Sequence, residues 1–150
     1  MNAARYLALI MAACGLCGCA SPAGDASNEM LEVRLNATPK NAGRIAQATL
    51  VPRGDETSIS LVISGVPSYT TRPVRLYTFI YPGSCVHPGA SPAYELNRTL
   101  TTDRHFRGDV WRMSKSAPVP LSTLRAGDYS LVLRTTPADG SFDIFCGDIR

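Results

Sequence analysis

Along most of this chain hydrophobic and polar residues alternate with a period of two, the pattern of strands that bury one face and wet the other. Leu31, Val33 and Leu35 alternate with Glu32, Arg34 and Asn36. Ile45 to Val51 predicts a second strand, and Arg53-Gly54-Asp55 predicts a turn in which Gly54 is free to take a positive φ. Ile59, Leu61 and Ile63 alternate with Ser58, Ser60 and Val62 until Gly65, Pro67 and Ser68 break the run. Val74, Leu76, Thr78 and Ile80 face one way, while Arg75, Tyr77, Phe79 and Tyr81 face the other. A Gly- and Pro-rich loop then runs from Pro82 to Pro92, and Tyr94 to Leu100 and Asp109 to Met113 are weaker strands. Tyr129, Leu131 and Leu133 alternate with Ser130, Val132 and Arg134. Pro137-Ala138-Asp139-Gly140 predicts a hairpin turn, and Phe142, Ile144 and Cys146 the closing strand.

No window carries a sustained helical stripe; only Leu121 to Leu124, ahead of Gly127, predicts a short helical turn. Short strands separated by frequent turns predict an all-β domain over residues 29–150, an antiparallel Greek-key sandwich or barrel of seven to eight strands.

The first residues do not follow the strand pattern. Met1 to Arg5 is a charged start, and Tyr6 to Leu16 is an apolar run shorter than the roughly 20 residues a bilayer needs. A positive start, a short apolar core and a small-residue exit form a removable signal. Leu16-Cys17-Gly18-Cys19 resembles the lipobox of bacterial lipoproteins. Cys14 and Cys17 are other candidates for cleavage, but Cys19 alone has Leu at −3 and Gly at −1. The resemblance implies a signal peptide over 1–18 and lipidation of Cys19 by several acyl chains, palmitate among them, which hold a protein on a membrane durably. Ala20 in place of Asp implies the outer membrane, with the protein facing the periplasm. Small and polar residues over 19–28 then read as a flexible tether.

Charge narrows the partners. The 15 Lys and Arg against 12 Asp and Glu give +3, or +2 once Arg5 leaves with the signal. The basic residues are scattered, so no nucleic-acid footprint is present. Three of the 5 cysteines lie in or at the end of the signal, which leaves Cys85 and Cys146. An even pair in an exported domain reads as one disulfide, with two free thiols or two metal ligands as the alternatives. The periplasm oxidises exposed pairs, and no cluster of Cys and His completes a zinc set around them.

Pro82-Gly83-Ser84-Cys85, Pro88-Gly89 and Tyr94-Glu95-Leu96-Asn97 resemble the Gly-Thr-Cys, Pro-Gly and Tyr-x-Leu-Asn segments of bacterial CHRD-like proteins, which are themselves similar to Cu/Zn superoxide dismutase. Leu121, Leu124, Gly127 and Tyr129 resemble the penultimate loop and strand of that family. Phe145-Cys146-Gly147-Asp148-Ile149 resembles its closing Ala-Cys-Gly-Asp-Ile. The resemblance implies a dismutase-like fold and a Cys85–Cys146 disulfide. It also implies a His-Ile-His unit four and six residues before the first cysteine, where this chain has Tyr81 and Phe79. A copper site needs imidazole nitrogens, so the family's metal site does not carry over, and no cofactor is expected.

The remaining chemistry is sparse. The 2 histidines are His87, in the Cys85 loop, and His105, in a heptad Asp103–Asp109 that resembles the dismutase zinc loop with one extra residue. Exposed loop histidines are the simpler reading of both. No nucleophile elbow, HExxH motif or phosphate loop occurs, so no catalytic residue is assigned. Tyr77, Phe79 and Tyr81, beside Arg75, are the surface to single out. Either the row is buried between two sheets, as aromatics in strands often are, or it is an aromatic binding patch in place of the metal site. The expectation is a non-enzymatic lipoprotein that binds a protein, glycan or other envelope component. The alternatives are a metal-binding or superoxide-handling protein with a divergent copper/zinc site, and a structural part of a larger envelope assembly.

Overall fold

Each strongly alternating run becomes a strand in the computed structural model, which describes residues 29–98, 104–106 and 110–150. The expected signal peptide, Cys19 and the tether lie outside the described residues. The elements are β1 (Leu31–Ala37), β2 (Ile45–Arg53), β3 (Glu56–Ile63), β4 (Leu76–Pro82), β5 (Tyr94–Glu95), β6 (Arg104–Phe106), β7 (Val110–Ala117), α1 (Leu121–Ala126), β8 (Tyr129–Thr135) and β9 (Asp143–Ile149). They form one antiparallel sheet in the order β5-β4-β8-β9-β1-β2-β3-β7-β6. The sheet curls into a nearly closed barrel. Connections from β3 to β4 and from β7 to β8 cross it in the manner of a Greek key.

Period two places the core. Val33, Leu35, Leu50, Ile59, Leu61, Ile80, Leu131 and Leu133 point inward and are at most 2% exposed. Burying each such side chain is worth roughly 1.5–3 kcal/mol. Leu121 and Leu124 of α1, the predicted helical turn, close the end at which β7 stops and β8 starts. Gly54 turns the β2–β3 hairpin at φ 61°, as its sequence context predicts. Gly147 lets β9 approach β1: a Cβ there would lie 2.4 Å from the Arg34 carbonyl oxygen.

Four expectations change. The closing strand expected at Phe142, Ile144 and Cys146 begins at Asp143, one residue after Phe142, and it is bulged. The register skips Ile144 where β9 meets Leu133 and Arg134, and this bulge sends Phe145 into the core while Cys146 faces outward. Tyr94 to Leu100 is a strand only at Tyr94–Glu95, because the Asn97 side chain accepts the Thr78 N–H at 2.8 Å in place of a main-chain carbonyl. Residues 99 and 100 lie outside the described set. The strand expected over Asp109 to Met113 is described from Val110, Asp109 lying outside the described residues, and it runs on to Ala117; Lys115 at an inward position hides the alternation of this second half in the sequence. Finally, His105 is not in a loop: Arg104–Phe106 pairs with Val110–Arg112 and sets His105 opposite Trp111.

Candidate functional site

The Tyr77–Phe79–Tyr81 row lies on the outer face of β4, the consequence of Leu76, Thr78 and Ile80 pointing into the core. It is not sandwiched between two sheets, because a single curled sheet has only an inside and an outside. Phe79 is nevertheless only 7% exposed, while Tyr77 and Tyr81 are half-buried. The rings meet at 6.3 Å for Tyr77–Phe79 and 6.2 Å for Phe79–Tyr81, in the edge-on and tilted geometries that aromatic pairs favour.

A cation covers the row, and it comes from β8. Antiparallel pairing sets Tyr77 opposite Arg134, Phe79 opposite Val132 and Tyr81 opposite Ser130. The Arg134 guanidinium lies 4.9 Å from the Phe79 ring centre and 5.9 Å from that of Tyr81. It donates from Nη2 to the Tyr81 hydroxyl at 3.2 Å and from Nε to the Asp143 carboxylate at 2.5 Å. The bond to Asp143 raises the Arg134 pKa, so the stacked cation stays charged. Arg75, the cation expected beside the row, is exposed at the mouth of β4 and makes no ion pair or hydrogen bond among the described residues. The signal for Arg134 was its outward phase on β8, but choosing it required the strand register.

Next to the row the Cys85–Cys146 disulfide joins the Pro82–Pro92 loop to β9, with 5.8 Å between Cα atoms. The loop folds on itself, where the Gly89 N–H donates to the Pro82 carbonyl at 2.6 Å. Asp148 accepts the Cys85 N–H at 2.7 Å. His87 stands exposed in this loop. On the other side of the hairpin, Asp139 accepts from Thr71 N–H at 3.0 Å, Thr71 Oγ1 at 2.5 Å and Thr136 Oγ1 at 2.9 Å. Those donors, the Thr71 hydroxyl first, hold its pKa below the ordinary carboxylate value.

The copper set implied by the dismutase resemblance does not fit. Phe79 has no ligating atom, and Tyr81 and Phe79 lie under a guanidinium that repels a metal cation. Among the described residues no three His, Cys, Asp or Glu side chains come together as a ligand group. Nor is any helix among them long and apolar enough to cross a membrane. A groove of about 820 Å³ lies on the opposite outer face, against Arg34, Ile45, Gln47 and Val62, and holds no aromatic side chain. No protein-family model, curated protein or solved structure matches the chain.

The residues that carry the CHRD-like resemblance have structural work in this barrel. Leu96 is buried and Asn97 ends a strand. Tyr94 packs on Tyr129 at 6.4 Å between ring centres. Gly147 admits β1, and Asp148 holds the Cys85 loop. These segments serve the fold, while the aromatic row is where this chain departs from the pattern.

Proposed function

We propose that this protein is a lipoprotein of the bacterial outer membrane, anchored through Cys19 and facing the periplasm. In this reading it is a CHRD-like barrel without the copper site. It acts without catalysis, as a module that binds an envelope component through Tyr77, Phe79 and Tyr81, with Arg75 at the edge. The lipobox at Leu16–Cys19 supports the location. One observation carries the function: an aromatic row on the outside of a barrel, with its middle ring buried and its two tyrosines half open to solvent. Tyrosine offers contact area at low entropic cost and a hydroxyl for direction, which is why it is enriched at binding surfaces.

The test is site-specific photo-crosslinking in cells. A photoreactive residue at Tyr77 is expected to trap a discrete adduct, and the same probe at Ser60, on the polar face, is not. Equal trapping at both positions, or none at Tyr77, sinks the reading. Location is tested separately: Cys19→Ala is expected to abolish fatty-acid labelling and membrane attachment. Unchanged labelling of that variant would overturn the anchor.

A further inference from the structure

Three loops form one rim at the end of the barrel where β1 finishes: 38–44, 64–75 and 136–142. Asn41 Nδ2 donates to the Gly65 carbonyl at 3.2 Å, Thr71 bonds to Asp139, and Thr38 Oγ1 donates to the Asp143 carbonyl at 2.7 Å. The rim carries Lys40, Arg44, Arg72 and Arg75, and among the described residues none of them makes an ion pair. The two described carboxylates at this end are already used, Asp139 by threonine donors and Asp143 by Arg134. The same loops carry two open aromatics: Tyr69 is 48% and Phe142 37% exposed, with ring centres 6.1 Å apart. Lys40 Nζ sits 4.4 Å from the Phe142 ring centre.

From this arrangement we infer that the rim is a seat for an anionic cell-wall glycan, the peptidoglycan strand. Cations without a carboxylate partner, spread over two of the rim's loops (Lys40 and Arg44 on one, Arg75 and the Trp111-stacked Arg72 on the other), match a ligand with several anionic groups, not one small anion. The open rings of Tyr69 and Phe142 offer apolar surface to the C–H faces of sugars, while Lys40, Arg72 and Arg75 meet carboxylates. An anionic membrane is the poorer occupant. The chain leaves toward its tether from Glu29, at the start of β1, and the seven residues of β1 put the rim roughly 20 Å beyond that point. The inference rests on the lipoprotein reading above but uses a surface separate from the Tyr77–Tyr81 row.

Full-length lipoprotein, purified in detergent, is mixed with protein-free peptidoglycan sacculi and sedimented. It is expected to pellet with sacculi at low salt, to be released near ~0.5 M salt as screening shortens to a few ångströms, and not to pellet with uncharged chitin. Lys40→Gln with Arg75→Gln should weaken retention about tenfold, since both side chains are exposed and both charges lie at the rim. Arg53→Gln, a charge at the far end, should leave it unchanged. Equal retention of the double variant, salt-independent pelleting or equal binding to chitin overturns the proposal, as does capture by anionic vesicles in place of sacculi. Tyr77→Ser with Tyr81→Ser separates the two surfaces. Loss of sacculus binding in that variant with full retention by the rim variant would move the glycan to the aromatic row and leave the general function standing. Failure of fatty-acid labelling at Cys19 would instead remove the lipoprotein reading itself.

Discussion

Two outer faces of the same barrel are built in opposite ways. Across the middle of β2, β3 and β7 the outward residues are small and hydroxylic: Thr49 lies opposite Ser60 and Ser60 opposite Ser114, with Ser58 opposite Ser116 in the next row, while Ile45, Gln47, Val62 and Arg112 stand outward nearer the rim. Across β4, β8 and β9 the outward residues are Tyr77, Phe79, Tyr81, Val132, Arg134 and the disulfide. The first face is what an antiparallel sheet shows to water. The second hides much of its own surface, using Arg134 as a lid on Phe79 and the Cys85 loop as a flank. Water-facing positions carry little stabilising energy, so large side chains there report either a local cover or a ligand. On this face Phe79 is covered by Arg134, which also bonds the Tyr81 hydroxyl, while Tyr77 and Tyr81 stay half-buried.

That contrast can be broken by measurement. The largest effect is expected from the disulfide: Cys85→Ser with Cys146→Ser should cost about 4 kcal/mol in denaturant unfolding, for a cross-link spanning 61 residues. A loss below ~1 kcal/mol would show that the aromatic face does not need its flank. Phe79→Ala should cost about 3 kcal/mol, a core-like value for an outward residue, whereas Ser60→Ala should stay within about 0.5 kcal/mol. Equal, small losses at both positions would erase the difference between the faces. Asp139 comes next, and its effect depends on pH. Its carboxylate pKa is lowered by Thr71 and Thr136, so its contribution is full above the ordinary value of about 3.9 and is lost as pH falls through the lower folded value. Unfolding curves of Asp139→Asn and wild type should therefore differ at pH 7 and converge in strong acid. A gap that does not change with pH would refute the assignment. The smallest effect is Arg134→Gln, about 1 kcal/mol, because its ion pair with Asp143 is partly solvated and the stacking on Phe79 supplies much of the rest. A double-mutant cycle with Phe79→Leu should show coupling; strict additivity would mean that the guanidinium is not a lid.

Legibility followed the alternation. Where every second residue was apolar, as in Leu31–Leu35 or Ile59–Ile63, strand and inward face could be read directly, because the pleat sends successive side chains to opposite sides. It failed where one residue broke phase. Lys115 at an inward position concealed the second half of β7, and the bulge at Ile144 reversed the face of everything after it. β6 escaped notice because Arg104–Phe106 has no apolar period of its own and exists by pairing with β7. The candidate site was half legible: the Tyr77, Phe79, Tyr81 row was visible as a pattern, but Arg134 as its partner was not.

By itself, then, the chain determined its strongly alternating strands and their inward residues, its single pair of body cysteines and the absence of imidazole at positions 79 and 81. Each of these follows from residue identity and local spacing, which need no partner. Tertiary structure alone decided that one sheet curls into a nearly closed barrel, so that the aromatic row faces out and not between sheets. It likewise brought Arg134 of β8 over Phe79, and gathered Lys40, Tyr69, Arg72, Arg75 and Phe142 at one end. The reason is register. A strand's own sequence says which side each residue takes, but which foreign side chain stands opposite depends on how strands distant along the chain align, and one bulge is enough to change it.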